Sequence, residues 1–227
     1  MVKVFIDPGH GGIDSGSSGN GLLEKNVTLQ LALAVRKYLG EYKDVSFKMS
    51  RTTNKTVTLQ QRTNAANSWS ADFFLSIHIN AGGGTGFESY IYSGLSNSGE
   101  TGKKRNIIHD MVHKANRMID RGKKQANFHV LRETKMAAVL TENGFIDTKK
   151  DANKMKENEW IDRVARAHAE GIAEIYKLKK ETSTGSSADT GKYTLRASTP
   201  GYYTAKDAKN KTNRKTTVPK GAFLFIS

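Results

Sequence analysis

Apolar residues follow two different spacings along the first 180 residues. In the segment 26–39 the spacing is helical, and Gly40 follows as a residue type that favours a helix end. The apolar stripe, at i, i+4, i+7 and i+8, consists of Val27, Leu31, Ala34, Val35 and Tyr38. We therefore predict an amphipathic helix that packs one face on a core.

Short β-branched and aromatic runs alternate with helical segments of this kind. The runs predict strands at 2–6, 45–49, 73–79, 87–92 and 139–142. Helices are predicted at 26–39, 58–69, 101–120 and 152–176. Thr58 and Gln61 form a capping-box pattern at the start of the second helix. The alternation predicts an α/β fold of three layers, with a twisted, mostly parallel sheet flanked by helices.

The composition changes near residue 180. Residues 181–190 read ETSTGSSADT, which is typical of a linker. Beyond them, two short β-type runs lie at 193–195 and 222–226. We therefore expect a catalytic domain at 1–180, a linker at 181–190 and a small β module at 191–227.

The chain carries a formal net charge of +14 and contains no cysteine. Without cysteine, disulfides and thiolate metal ligands are excluded, so a transition-metal site must use His, Asp and Glu. The charge favours polyanions, such as nucleic acid, anionic membranes or phosphate-rich wall polymers, or is simply a basic surface. Nucleic acid is disfavoured because the aromatic residues, 8% of the chain, are not interleaved with the basic ones.

The apolar runs also bear on localisation. None approaches the roughly 20 residues of a membrane span. The N-terminal run at 2–6 is too short for a signal-peptide core and is followed at once by Asp7 and Pro8. We therefore expect a protein made without a signal peptide, which reaches a target outside the membrane only after release by another agent.

Two histidines lie where predicted strands end. His10 follows the first strand in a glycine-rich loop, and glycines let a backbone pass close to a ligand. His78 ends the strongest predicted strand, on one face with Ser76 and Asn80. Taken alone, His10 also fits a surface-loop residue, and His78 fits a hydrogen-bonded core histidine.

Two glutamates lie at similar junctions. Glu24 precedes the first helix, where the helix dipole alone favours a carboxylate. Glu142 closes the predicted strand at 139–142 and also fits a satisfied buried carboxylate. Two imidazoles and one carboxylate form a common catalytic zinc set, beside which a second carboxylate can move a proton. Because the H-E-x-x-H helix motif is absent, such ligands would converge from separate loops.

These residues also match a known family. From residue 2 to about residue 178, the sequence resembles the zinc-dependent N-acetylmuramoyl-L-alanine amidases of the Amidase_3 type. The resemblance rests on IDPGHGG at 6–12, Glu24, SIHIN at 76–80 and ENGF at 142–145. The segments NAAN at 64–67, ADFFL at 71–75 and DRG at 120–122 are similar to those of Bacillus-type sporulation hydrolases and phage endolysins.

The resemblance implies that His10, Glu24 and His78 bind one zinc ion and that Glu142 is the catalytic glutamate. It implies lysis of bacterial walls by hydrolysis of the amide between N-acetylmuramic acid and L-alanine, after release by a phage holin or by mother-cell lysis. The family often shows a proline and a valine before its glutamate. Here residues 136–141 read MAAVLT, which we expect to alter packing or substrate fit, not the chemistry. A zinc-dependent peptidoglycan peptidase and a non-catalytic basic wall-binding protein are the alternatives.

Further residues are secondary candidates. Arg132 is predicted to bind a stem-peptide carboxylate, although a surface arginine fits as well, and Asn80 is predicted to contact substrate or support the site. His129 lies in a segment that we expect near the site. Helical patterns rich in charge predict surface positions for the remaining histidines, His109, His113 and His168.

The tail resembles a bacterial SH3-like wall-binding module through segments at 193–197, 201–204 and 218–221. Residues 191–227 are few for such a domain. A half-domain, a module that needs a partner chain, and a basic tail that holds anionic wall polymers by charge alone therefore stay open. Peptidoglycan is the expected partner in each case.

Overall fold

A computed structural model describes residues 1–181, 199–201 and 216–218. Residues 1–181 form one compact unit. Its strands are β1 (Val2–Pro8), β2 (Ser18–Gly19), β3 (Leu22–Leu23), β4 (Val45–Met49), β5 (Phe73–Asn80), β6 (Phe87–Tyr92), β7 (Asp120–Ala126) and β8 (Ala137–Phe145). Its helices are α1 (Glu24–Leu39), α2 (Leu59–Ser68), α3 (Glu100–Asn116), α4 (His129–Arg132), α5 (Lys149–Met155) and α6 (Asn158–Tyr176).

Six strands form the central sheet, in the order β4-β1-β5-β8-β6-β7. The strands β4, β1, β5 and β8 are mutually parallel, β6 is antiparallel to β8, and β7 is parallel to β6. The predicted mostly parallel sheet is therefore confirmed. Because the parallel strands end at one edge, the residues that follow β1 and β5 meet there, where ligand sites of open α/β sheets form.

Helices cover both faces of the sheet. One face packs against α1, α3 and α6 around a large apolar core that includes Leu31, Phe73 and Trp160. The other face carries a smaller core that includes Phe5, Phe74 and Leu131, with α2 and α4 packed together over it. Burial of each such side chain contributes roughly 1.5–3 kcal/mol. Two residues of the smaller core, Val130 and Leu140, also line a cavity that is bordered by α2 and α4.

Most predicted elements are confirmed within a few residues, and α2 begins with the predicted capping box of Thr58 and Gln61. Two helix predictions are wrong in extent. The helix predicted at 101–120 ends at Asn116, because Arg117 adopts a left-handed conformation with φ of 57°. The helix predicted at 152–176 is divided into α5 and α6 by Glu157, which has extended backbone.

The strand β7 has no counterpart in the predictions. Its sequence, DRGKKQA, lacks the apolar alternation that marks a strand, and it is mostly exposed at the edge of the sheet. Charged side chains are common on edge strands because they discourage pairing with other chains. The prediction for Glu142 is also corrected: the residue lies within β8, not at its end, since the strand continues to Phe145.

The second unit spans Thr182–Ser227. Its described residues form two short antiparallel strands, β9 (Thr199–Gly201) and β10 (Thr216–Val218). Nearly all of the predicted linker at 181–190, and the β-type runs predicted at 193–195 and 222–226, lie outside the described residues. Among the described helices, none is long and apolar enough to cross a membrane.

Candidate metal centre and active site

The glycine-rich loop after β1 brings His10 against the end of β5. His10 has a left-handed backbone conformation, with φ of 59°. A Cβ on the neighbouring Gly9 would lie 2.4 Å from Cε1 of His78. Only glycine therefore allows the loop to approach His78 this closely. The two imidazole rings lie with their centroids 5.0 Å apart, edge to face.

Glu24, the first residue of α1, lies between the two histidines. Its Oε1 is 3.1 Å from Nε2 of His10 and 3.1 Å from Nδ1 of His78. The same oxygen accepts a hydrogen bond from the backbone N–H of Ile79, at 3.0 Å, and Oε2 accepts one from Ser17, at 2.8 Å. The carboxylate is thus buried but held from several sides.

Charge and burial act in opposite directions on these groups. Burial raises the pKa of Glu24, but hydrogen bonds and charge from His10 and His78 outweigh it and hold the pKa far below its ordinary value. Burial likewise lowers the pKa of His10, but Glu24 and Asp14 outweigh it and raise the pKa. The cluster therefore keeps Glu24 anionic, as a metal ligand must be.

The donor atoms of His10, Glu24 and His78 all lie within 4.8 Å of one another, which fits them to hold a metal ion. Two imidazoles and one carboxylate match the donor set of catalytic zinc sites, in which a fourth position faces water or substrate. Here the three side chains line an open cavity of about 440 Å³, together with Asn80 and Glu142. The three predicted side chains are brought together, but only His10 comes from a loop, since Glu24 begins α1 and His78 lies within β5.

Asp14, which was not among the predicted site residues, supports the first histidine. Its Oδ2 lies 2.9 Å from Nδ1 of His10, which leaves Nε2 directed toward Glu24. Its Oδ1 accepts the backbone N–H of Gly16 at 3.0 Å. Carboxylates that bond the second nitrogen of a metal-binding histidine fix its tautomer and orientation. The available signal was the four-residue spacing of His10 and Asp14 within one loop.

Two buried arginines hold the backbone of the same loop, and they too were missed. Arg51 donates to the carbonyl of Gly9 at 2.7 Å and to that of Pro8 at 3.1 Å. Arg62 donates to the carbonyls of Pro8 at 2.8 Å and His10 at 2.7 Å. Three consecutive carbonyl groups are thus fixed by guanidinium groups.

The charge of this arginine clamp, defined as Arg51 and Arg62, is partly balanced by Asp7. The Asp7 carboxylate is fully buried and lies 2.6 Å from Nη1 of Arg62. Burial, and then the charge of Arg62, lower the pKa of Arg51 to about 10, which still leaves it cationic near neutral pH. The clamp therefore ties the strained His10 loop to β4 and α2 with charged hydrogen bonds.

Glu142 lies beside the candidate metal ligands on the neighbouring strand. It is directly opposite His78 in the parallel pairing of β5 and β8. Its Oε2 is buried and has no hydrogen-bond partner among the described residues. Burial, and then the charges of Glu24 and Glu88, raise its pKa well above the ordinary value. A carboxyl group in this setting readily holds a proton, as a general acid must.

A second cavity, of about 560 Å³, continues from the first. Both are lined by His10, Asp14, His78 and Glu142, so they form one cleft with two arms. The second arm is bordered by the N-terminal end of α2 and by Phe128 and His129. Its apolar border is exposed at Ile13, Leu59 and Phe128. The expectation that the segment of His129 lies near the site is thus met by its position.

The two predicted substrate contacts occupy different places. Asn80 lines the first arm, where its amide donates to Glu88 at 2.7 Å. Arg132 is exposed and does not line either arm of the cleft within the described part of the chain. Its side chain donates to Glu133 at 2.7 Å and to the side chain of Asn127 at 2.6 Å. A substrate role for either residue stays a prediction.

The surface prediction is wrong for two of the other histidines. His109 and His168 are buried, while His113 is half-buried. His168 donates from Nδ1 to the carbonyl of Val164 at 2.8 Å, and its Nε2 accepts from the hydroxyl of Thr141 at 3.1 Å. Each of these two histidines lies on the buried face of a helix whose exposed face is charged. The prediction was wrong because it rested on the number of charged neighbours in the sequence, which does not show the face on which a residue lies.

The fold and this cleft define a class of protein: an α/β domain with a two-histidine, one-glutamate candidate metal centre beside a buried carboxylic acid, as is typical of metallohydrolases. Comparison with known proteins names the family. The family model described as N-acetylmuramoyl-L-alanine amidase, Amidase_3, matches residues 4–174. The chain belongs to this family, which confirms the predicted resemblance to the Amidase_3 type over that part of the sequence.

Three similar proteins represent the match. N-acetylmuramoyl-L-alanine amidase CwlM of Bacillus licheniformis is 58% identical over 184 residues, which cover 81% of this chain and 72% of that protein. The endolysin of Bacillus phage SPP1 is 44% identical, covering 79% and 68%. The catalytic domain of the amidase CwlV from Bacillus (Paenibacillus) polymyxa var. colistinus superimposes with a TM-score of 0.75 at 33% identity, covering 79% of this chain and all of that domain.

Proposed function

We propose that this chain hydrolyses the amide bond between N-acetylmuramic acid and L-alanine in peptidoglycan. In this proposal one zinc ion is held by His10, Glu24 and His78, and Glu142 is the general base and acid. The observation that carries the proposal is the convergence of three metal-donor side chains beside a buried carboxyl group within one cleft. Membership of the amidase family supports the choice of bond.

The roles of the residues follow from their positions. When bound, zinc supplies a Lewis acid that lowers the pKa of water and polarises a carbonyl group. Glu142 removes the proton from the attacking water, and its environment lets it retain that proton. It then delivers the proton to the nitrogen of the departing alanine. Asp14 and the arginine clamp keep His10 in position throughout.

The two-armed cleft suits a substrate that continues on both sides of the bond that breaks. The muramic acid and its glycan extend in one direction, and the peptide stem extends in the other. The shared residues His10, His78 and Glu142 lie where the two arms meet. A substrate bound across both arms therefore brings its central amide bond to the candidate metal centre.

The test uses purified walls and the full chain. Lysis should cease after dialysis against a chelator and return on addition of one equivalent of zinc. Mass spectrometry of the digest should show glycan carrying free muramic acid together with intact stem peptides. Cut stem peptides would instead establish a peptidase, and unaltered walls that still bind the chain would establish a binding protein without catalysis.

We also propose that residues 191–227 hold the protein on the wall, including its anionic polymers, and that the protein acts there after release from the cell that makes it. The basic composition of these residues, with eight Lys or Arg against one Asp, supports this assignment. Co-sedimentation with walls before and after extraction of anionic polymers, over a range of salt concentration, measures it. If extraction of the polymers and an increase in salt concentration both leave binding unchanged, the electrostatic contribution is excluded.

A further inference from the structure

A buried carboxylate lies next to Glu142 on the side away from the metal centre. Glu88 on β6 is opposite Glu142 in the antiparallel pairing with β8, and its side chain is only 3% exposed. Since His78 is opposite Glu142 on the other side, these three side chains share one face of the sheet. Glu88 is therefore the next group along the face that carries the site.

Glu88 organises two cations at this position. Its Oε2 accepts a hydrogen bond from Nε of Arg121 at 2.9 Å and another from Nζ of Lys124. Its Oε1 accepts from the hydroxyl of Tyr90 and from the amide of Asn80, each at 2.7 Å. Asn80 in turn lines the first arm of the cleft, so the group is connected directly to the site.

The cations retain capacity to bind an anion. Arg121 uses Nε for Glu88, and its two terminal nitrogens make no hydrogen bond to any residue that the structure describes. The guanidinium carbon lies 4.8 Å from the ring centroid of Phe145, a second contact that holds the group in place. Arg121 and Lys124 are each 36% exposed and share a single carboxylate, so one positive charge is in excess. A fixed guanidinium with free terminal nitrogens is suited to bind a carboxylate in bidentate fashion.

The distance between Arg121 and Glu142 can be estimated from the spacing of the strands that carry them. Neighbouring strands lie about 4.8 Å apart, so β7 is about 10 Å from β8 across the sheet. An extended peptide advances about 3.5 Å per residue. A carboxylate carried one or two residues beyond the alanine of the scissile bond therefore reaches Arg121 while the bond lies at Glu142.

We propose that Arg121 and Lys124, held by Glu88, form an anion subsite that binds a carboxylate of the peptide stem near the scissile bond. The inference rests on the proposed amidase function. Within the part of the chain that the structure describes, neither cation lines the two arms of the cleft, and the subsite lies next to the first arm, beyond Asn80. The acidic group nearest the bond is the α-carboxylate of the glutamate that follows alanine. In some walls this group is an amide, which removes its charge.

The test compares two soluble muropeptides that differ only in this group, one with the free α-carboxylate and one with the α-amide. The wild-type chain should favour the free acid in kcat/KM by about tenfold, mainly through KM, because a charged hydrogen bond is replaced by a neutral one. Arg121→Gln and Lys124→Gln should each reduce the preference toward unity. Both glutamines can still donate to Glu88, which limits disturbance of the fold.

Lys123→Gln is the matched control. Lys123 lies on the same strand, on the face away from Glu88, and pairs with Asp110 at 2.8 Å. It should keep the wild-type preference. If the wild type, Arg121→Gln and Lys123→Gln show the same preference for the free acid over the amide, the proposed subsite is wrong. It is also wrong if the Arg121→Gln substitution affects hydrolysis only on walls rich in polymer phosphate. Failure of the wild type to cleave either muropeptide refutes the amidase function instead.

Discussion

Five histidines of this domain are hydrogen-bonded to other groups, and four of them form two different kinds of site. His10 and His78 direct ring nitrogens toward one oxygen of Glu24, at the wall of an open cleft. His109 and His168 lie in the interior, where each ring nitrogen has a separate partner. The residue type is the same, but only the first pair has donors that converge where a ligand can enter.

The environment of His109 shows why residue types alone are a poor guide. Its Nδ1 lies 2.8 Å from the hydroxyl of Ser89, and its Nε2 lies 3.0 Å from Asp120. These are the residues of a Ser-His-Asp triad. Ser89, however, is fully buried, and none of the three lines either arm of the cleft within the described residues. The group fastens α3 to β6 and β7, and a substrate has no access to its hydroxyl.

The largest effect is expected at the carboxyl group beside the first pair. Glu142→Gln should reduce the rate of wall hydrolysis by roughly 10²–10⁴, because an amide cannot carry the proton between water and the leaving nitrogen. Zinc affinity should change little, since Glu142 is not one of the three converging donors. Rates on purified walls and competition with a chromophoric chelator measure the two quantities.

Asp151→Asn is the control for loss of a buried carboxylate. Asp151 accepts the backbone N–H groups of Gly86, at 2.8 Å, and Phe145, at 3.0 Å, away from the candidate metal ligands. This variant should unfold more easily but retain most activity while folded. If Glu142→Gln lyses walls at the wild-type rate, the assignment of Glu142 as acid and base is wrong.

The second pair should appear in the pH dependence of stability. Burial lowers the pKa of His168 to about 4, from an ordinary value of 6.5. The unfolded chain then binds more protons between these values, so this contribution to stability is complete at high pH and is lost as the pH falls through that range. From about pH 7 to about pH 4 the loss from His168 is about 3 kcal/mol.

Comparison of wild type with His168→Gln isolates this contribution, because glutamine does not titrate. The variant should be less stable near neutral pH but should lose about 3 kcal/mol less than the wild type on acidification. Urea unfolding at a series of pH values gives the difference. Parallel curves for the two proteins would show that His168 keeps an ordinary pKa in the folded state.

Sequence patterns were sufficient for the parts of the fold that rest on local regularity. The stripe of α1 and the β-rich runs of β5 and β6 appear as predicted, because apolar periodicity directly reflects burial. The strand β7 and the division between α5 and α6 were missed. Each depends on a contact or a backbone angle that local composition does not encode.

The site shows the same division. His10, Glu24, His78 and Glu142 were predicted because each lies at or near a junction of strand, loop and helix, within short motifs of a known family, and the structure places all four along one cavity. Arg51, Arg62 and Glu88 were missed because their roles depend on which distant backbone or strand they meet. The substrate role of Arg132 stays a prediction, and the two cations that pair with Glu88 were not among the predicted site residues because they lie on the unpredicted β7.

The arginine clamp gives the next effect in size. Arg51→Lys and Arg62→Lys keep the charge but cannot bond the carbonyls of Pro8, Gly9 and His10 together. The strained His10 loop should relax, and zinc affinity should fall about 10–100-fold, as for other outer-shell substitutions. Chelator competition measures this fall without any assay of hydrolysis.

Arg105→Lys separates positioning from general stability. Arg105 is equally buried and donates to the carbonyl of Lys124 at 2.9 Å, far along the chain from the candidate ligands. The Arg105→Lys substitution should lower the melting temperature about as much as the clamp substitutions do, while zinc affinity stays at the wild-type value. If the clamp variants and Arg105→Lys lose similar stability and bind zinc equally well, the clamp stabilises the fold but does not position His10.

The smallest effect compares the two carboxylates that hold a histidine. Asp14→Asn should lower zinc affinity by about tenfold or less, because Asp14 is exposed and water screens its charge. Asp120→Asn, which alters the partner of buried His109, should leave zinc affinity unchanged and weaken the attachment of α3 to β7. Since asparagine can still accept a hydrogen bond from the imidazole, each substitution removes the charge of the carboxylate while the geometry stays nearly constant. If both variants lose the same zinc affinity, the buried histidines and the histidines at the cleft are coupled through the fold. The distinction between the two pairs, which rests on converging donors and access to the cleft, would then be wrong.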